Sequence, residues 1–186
     1  MKTKEEKQLF LKKLIPFSLT VLVILADQIT KILVVKNIPP YTALWSFWDG
    51  LLRIIHVRNL GVAFSMGYSW PVFLRKLVFS LIPLVVIAYV IRVYFKSNEF
   101  SDVQRWCICG VIGGGIGNLI DRIFRPDGVV DFIDVKFFIL FGMERWPTFN
   151  VADSAVVVCG ILLIISFIVT SINESKSSKE EKTQEA

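Results

Sequence analysis

Four apolar runs, each long enough to cross a lipid bilayer, leave this chain few ways to fold. They cover residues 14–35, 72–92, 105–123 and 150–172, and ~20 consecutive apolar residues carry an α-helix through a hydrocarbon core. Backbone groups inside lipid need internal partners, so such a chain crosses as helices and keeps its irregular backbone outside. Composition agrees: 54% of the 186 residues are hydrophobic and the mean hydropathy is +0.59, with apolar residues in blocks rather than amphipathic stripes. The expected fold is mainly α, a single membrane domain over residues 14–173. A polar, lysine-rich tail precedes it at 1–13, and a charged, serine-rich tail expected to be disordered follows at 174–186.

The first run is longer than the apolar core of a signal peptide and no small-x-small cleavage site follows it, so it reads as a retained helix. Pro39 and Pro40 end it. Residues 36–70 then change character: β-favouring runs at 51–57 and 62–65, set off by Asn59, Gly61 and Gly67, predict a short sheet outside the bilayer. Trp45, Trp48 and Trp70 flank it, and tryptophan collects at the headgroup level, so the sheet should rest on the membrane surface. His56 reads as an ordinary half-exposed strand residue. The second run opens with Arg75 and Lys76, which makes its first turns an interfacial amphipathic segment, and Pro83 is expected to kink it.

The net charge of +5 does not point to nucleic acid, because lysine-rich tails flanking apolar spans set topology instead. Those tails place both termini in the cytoplasm. Cys107, Cys109 and Cys159 read as small buried hydrophobes. With a single histidine and no Cys-x-x-Cys pair, a metal site has no support in the sequence.

The polar residues near the spans are more informative, since ionisable groups at membrane depth are costly and usually functional. Asp27 and Lys31 end the first span and share a helical face, as an ion pair or as the brace of a site. Asn59 lies in the loop that follows. Asn118, Asp121 and Arg122 end the third span on one face, Asp131 interrupts the apolar stretch 129–133, and Asp153 opens the fourth span. Alternating crossings put all of these at the same side of the membrane. Two readings stay open for Asp153, because Asn150 and Asp153 also have the spacing of an N-cap and its N3 carboxylate. Asp134 would point to the opposite face of a strand from Asp131 and reads as structural. The glycines from Gly110 to Gly117 read as close helix packing.

Two carboxylates at an apolar boundary suggest aspartyl peptide hydrolysis. Like charges a few ångströms apart resist joint ionisation, so one keeps a proton while the other acts as base toward water. If Asp153 sits in the first turn of a helix, the dipole favours its carboxylate, which leaves Asp131 as the protonated member of a coupled pair. An ion-coupled transporter is the alternative, but it calls for carboxylates spread through the bilayer depth. A non-enzymatic assembly factor leaves Asp131 and Asn59 unexplained. The His-Glu-x-x-His of an intramembrane metalloprotease is absent.

Five pieces of the chain, in order, resemble the pattern of the lipoprotein signal peptidase family, signal peptidase II. They are Asp27-Gln28-Ile29-Thr30-Lys31, Asn59-Leu60-Gly61-Val62-Ala63-Phe64, the stretch from Gly114 and Ile116 to Arg122, Val129-Val130-Asp131-Phe132, and the stretch from Phe149 to Ser154. The resemblance implies four transmembrane helices with a small extracytoplasmic β-cradle over about 36–70 and an interfacial helix. It implies a catalytic dyad of Asp131 and Asp153. Asn59, Gly61, Gly114, Asn118, Asp121, Arg122, Val129, Asn150 and Ala152 would line or brace the site, supported by Asp27 and Lys31. The implied substrate is a diacylglyceryl-modified prolipoprotein, cut before its lipidated cysteine on the outer side of the bacterial cytoplasmic (inner) membrane. A monomer among membrane lipids, without cofactor and sensitive to globomycin-like cyclic peptides, completes the expectation.

Overall fold

A computed structural model describes residues 4–60, 70–140 and 143–184. Helix α1 (Lys4–Leu14) leads into α2 (Phe17–Asn37) through a break at Pro16, whose ring nitrogen has no hydrogen to donate. The lysine-rich start of the chain is thus helical. Strands β1 (Ala43–Phe47) and β2 (Leu52–Asn59) follow, then α3 (Val72–Lys96), whose helix continues through Pro83. The amphipathic segment expected after Pro71 is the beginning of α3 itself. A full capping box sets the start of α4 (Asp102–Phe124): Ser101 Oγ accepts from the Gln104 amide, and the Gln104 side chain accepts from the Ser101 amide. Strands β3 (Val129–Leu140) and β4 (Met143–Arg145) lead to α5 (Val151–Gln184).

Among the described residues four helices are long and apolar enough to span a membrane: Lys7–Asn37, Phe73–Lys96, Asp102–Phe124 and Val151–Ser177. In α4, 61% of the apolar window is buried against the rest of the chain, against 22%, 6% and 0% in the first, second and fourth spans. Helix α4 is therefore the axis of the bundle, and the other three turn most of their apolar surface outward. Close approach makes that packing work. A Cβ on Gly114 would overlap the Ala152 carbonyl oxygen of α5, so only glycine lets the two backbones meet where α5 begins.

The charged stretch expected to be disordered continues α5 as helix to Gln184. Its Lys, Glu, Gln and Ser residues contain no proline or glycine to stop a helix already nucleated by the apolar span.

The four strands form one antiparallel sheet in the order β1-β2-β3-β4. The sequence predicted a sheet within residues 36–70, whereas β3 and β4 come from the loop before α5. Such long-range pairing has no local signature; it arises because α2, α4 and α5 bring both loops to the same end of the bundle. Register places Arg53 opposite Asp134, Val57 opposite Asp131 and Asn59 opposite Val129. Asp134, buried, is clamped by Arg53 at 2.6 Å and by Arg145 at 2.8 Å, which ties β2, β3 and β4 together. That agrees with its structural reading. His56 is buried rather than half-exposed, its Nδ1 2.7 Å from the Ile38 carbonyl oxygen, because β2 packs against the end of α2. The run expected at 62–65, and Gly61, lie outside the described residues. Trp45, Trp48 and Trp70 are exposed.

Replacing Gly114 with alanine should push α5 from α4 and cost about 1–3 kcal/mol, in the range of overpacked interiors. Thermal unfolding in detergent reads this as a lowered Tm, while alanine at Gly160, which has open space around it, should leave Tm within a degree or so of wild type.

Candidate active site

One lysine ties α2 to α4. Lys31 Nζ lies 2.8 Å from Asp27 Oδ2 and 3.2 Å from Asp121 Oδ2, all three side chains fully buried. It also donates to Asn118 Oδ1 at 3.0 Å. The (i, i+4) spacing in α2 brings Asp27 and Lys31 to one face, and the glycine-lined surface of α4 lets that face approach Asp121. Two carboxylates and one ammonium would leave an uncompensated charge, but Arg125 Nε adds a second cation at 2.9 Å from Asp121 Oδ1. Arginine 125 rather than Arg122 is the ion-pair partner of Asp121, since a residue four positions on returns to the same side of the helix and an adjacent one does not.

Each carboxylate of this hub uses its other hydrogen-bonding capacity on backbone. Asp27 Oδ1 accepts from the Ala152 amide at 3.0 Å, and Asp121 Oδ2 accepts from the Val130 amide at 3.1 Å. Those amides immediately precede Asp153 and Asp131. Both aspartates are therefore held by backbone pins that meet at Lys31. Gln28 bridges the two halves, donating to Gly117 O at 3.0 Å, Asp27 Oδ2 at 3.1 Å and Asp121 Oδ1 at 3.2 Å.

Amides connect the two aspartates. Asn150 Oδ1 accepts from the Asp153 amide at 2.9 Å, and Asp153 Oδ2 accepts from the Asn150 amide at 3.2 Å. The N-cap spacing seen in the sequence is thus real. Capping leaves the other oxygen free for the site, however, and Asp153 Oδ1 accepts from Asn118 Nδ2 at 2.7 Å. Asp131 Oδ1 accepts from Asn150 Nδ2 at 2.7 Å, and its Oδ2 from Asn59 Nδ2 at 3.0 Å.

Asp131 and Asp153 face one cavity of about 320 Å³, with Asn59, Asn118, Arg122 and Val129 also in its walls and the segment from Trp146 to Phe149 closing one side. Asp131 is only 3% exposed. Burial is the main cause that pushes its carboxyl up to about 7, the negative charge of Asp153 adds to it, and the amides of Asn59 and Asn150 together with Lys31 pull back. Arg122 donates from Nη1 to the Phe79 carbonyl at 3.3 Å, and its buried Nε has no partner among the described residues. Among the described residues, no cluster of His, Cys, Asp or Glu is arranged to hold a metal.

The structure thus brings together every candidate site residue of the sequence except Gly61, which lies outside the described residues. Gly114 and Ala152 serve as the contact between α4 and α5. Gln28 and Phe149 stood within the family-like pieces without a role of their own, and Arg125 and the wall from Trp146 to Thr148 did not stand out in the sequence. Gln28 had a signal, a glutamine beside Asp27 inside an apolar run. Arg125 lay four residues after Asp121. Trp146, Pro147 and Thr148, ordinary loop residues, had none.

Residues 19–169 match the family model described as signal peptidase (SPase) II. The chain is 50% identical over 157 residues to a lipoprotein signal peptidase of Treponema pallidum, covering 84% of each chain. It is 48% identical over 162 residues to that of Treponema denticola, covering 87% of this chain and 93% of the relative. A bacterial membrane enzyme solved by the in meso method at 2.3 Å superimposes with a TM-score of 0.72 at 26% identity, covering 85% of this chain and 90% of the other. The match spans the hub and both aspartates, and the chain belongs to the signal peptidase II family of aspartic peptidases, as a multi-pass membrane enzyme.

Proposed function

We propose that the enzyme removes signal peptides from diacylglyceryl-modified prolipoproteins, cutting before the lipidated cysteine with Asp131 and Asp153 as catalytic dyad. The observation that carries the reading is the pairing of a buried carboxyl raised to about 7 with a second, capped carboxylate on one cavity. Two aspartates in such different surroundings divide into acid and base.

Asp153, as carboxylate, takes a proton from a water held between the pair, and the water oxygen attacks the scissile carbonyl carbon. Asp131 gives its proton to the carbonyl oxygen, so a neutral diol forms instead of an exposed oxyanion. As the C–N bond breaks, the proton on Asp153 passes to the amine of the departing cysteine residue. A diol proton returns to Asp131, and the dyad ends in its starting state. Arg122, with an unfilled Nε, offers a donor to substrate carbonyls at the cavity wall. Asn59, Asn118 and Asn150 hold the carboxyls, while Asp27, Lys31 and Asp121 fix the backbone behind them.

The substrate suits the setting. A signal peptide is an apolar helix and the modified cysteine carries acyl chains, so both flank the scissile bond with lipid-compatible surface. The cavity lies at the end of the bundle that carries the sheet, with exposed Trp45 and Trp48 on that sheet for the headgroup layer. We place this end on the outer side of the bacterial inner membrane and both termini in the cytoplasm, as the lysine-rich tails favour. One chain supplies both aspartates and the entire hub, which supports a monomer. Globomycin-like cyclic peptides would compete for the same cavity.

Asp131→Asn and Asp153→Asn should each lower cleavage of a diacylglyceryl-modified prolipoprotein peptide by roughly 10²–10⁴-fold while Tm stays measurable. Substantial cleavage by folded Asp153→Asn would leave that residue as a helix cap alone. Activity should fall as pH rises through about 7, where Asp131 loses its proton and the pair becomes doubly ionised. Asn59→Leu removes a donor that favours the charged form of Asp131, so in a pH–rate profile its alkaline limb should move to higher pH.

A further inference from the structure

A lysine ammonium only donates hydrogen bonds, whereas an asparagine side chain both donates and accepts. With Lys31 Nζ 3.0 Å away, the atom of Asn118 that faces it must be the oxygen. The nitrogen then necessarily faces Asp153, where it donates at 2.7 Å. Asn150 reinforces this less firmly. Its Nδ2 has two hydrogens for three acceptors, Asp131 Oδ1 at 2.7 Å, Asn118 Oδ1 at 3.0 Å and the Val130 carbonyl at 3.3 Å.

We propose, resting on the dyad reading above, that Lys31 is a positioning residue whose ammonium fixes the side-chain amide orientation of Asn118 and so holds Asp153 as the carboxylate of the pair. Lys31 has no contact with the cavity that contains the two aspartates. Its charge draws on Asp131 directly, but on Asp153 it acts through one amide: were Asn118 reversed, its oxygen would oppose Asp153 Oδ1, and that carboxyl would need a proton to make a hydrogen bond there. Both aspartates would then start protonated, and no base would remain for water. The charged groups around Asp153 are Asp27 and Lys31 from α2, Asp121, Arg122 and Arg125 from α4, and Asp131 from β3. Lys31 is the one of these cations that bonds Asn118, so it selects which atom of the amide faces Asp153.

The test is the pH–rate profile of the full chain in detergent on a diacylglyceryl-modified prolipoprotein peptide, for wild type, Lys31→Met, Asn118→Leu and the double variant. Asn118→Leu leaves Lys31 paired with both of its aspartates, so it keeps the test decisive if Lys31→Met does not fold. The acid limb belongs to formation of the singly ionised pair. Loss of the relay should move it up by about one pH unit, tenfold in rate on the acid side. Each single variant should show the shift, and the double variant should show no more than either single one. An unmoved limb in folded Asn118→Leu, or shifts in the two single variants that add in the double, overturns the proposal. Asp153→Asn serves as the control for the dyad itself, since activity in that variant refutes the dyad reading whatever the limbs do.

Discussion

The contact on which the rest of the structure depends is the buried ammonium of Lys31 between Asp27 and Asp121. Three fully buried charges in a small membrane bundle are expensive unless each is paired and hydrogen-bonded. Here each is: the carboxylates also accept backbone amides, and Arg125 supplies the second positive charge. Removing one partner of such a set costs about 3–5 kcal/mol, a large share of the ~5–15 kcal/mol by which proteins of this size are stable. What the hub secures is position. The amides it holds belong to the residues just before Asp131 and Asp153, so the start of α5 and the middle of the sheet are located by the same ion.

Helix α4 makes that arrangement possible. It is the buried axis of the bundle, and its small residues let α2 and α5 approach closely enough for Asp27 to reach Ala152 and for Asn118 to reach Asp153. Chemistry then follows from environment. Asp153 is capped by its own helix and sits at the helix N-terminus. Asp131 lies in a strand and is almost wholly buried, which favours the acid. In the proposed mechanism two identical side chains differ in role because one belongs to a helix start and the other to the inner face of a sheet.

Much of this was legible in the sequence, for identifiable reasons. Apolar length announces spanning helices, and alternation of crossings placed Asp27, Asn118, Asp131 and Asp153 at one side before any contact was known. Asn150 and Asp153 revealed their capping by spacing alone, but spacing could not tell that the second oxygen of Asp153 faces a cavity. The sheet was half hidden: β2 carried a β-rich run and the residues around Asp131 read as a strand, but the two lie far apart in the chain, and nothing local announced that they pair. Helical continuation of α5 into a charged tail was also missed, since composition argues against burial there and says little against helix. His56 was misplaced because its burial comes from the end of α2, a contact outside its own strand.

Infrared difference spectroscopy of the carboxyl stretch most directly tests the claim that one aspartate of the pair keeps its proton near neutral pH. A protonated carboxyl band should be present in the resting enzyme, titrate at about 7 and vanish in Asp131→Asn. A spectrum in which all carboxyls of the folded enzyme are already ionised at pH 5 (roughly one unit above an ordinary aspartate), or a band untouched by that substitution, would contradict it.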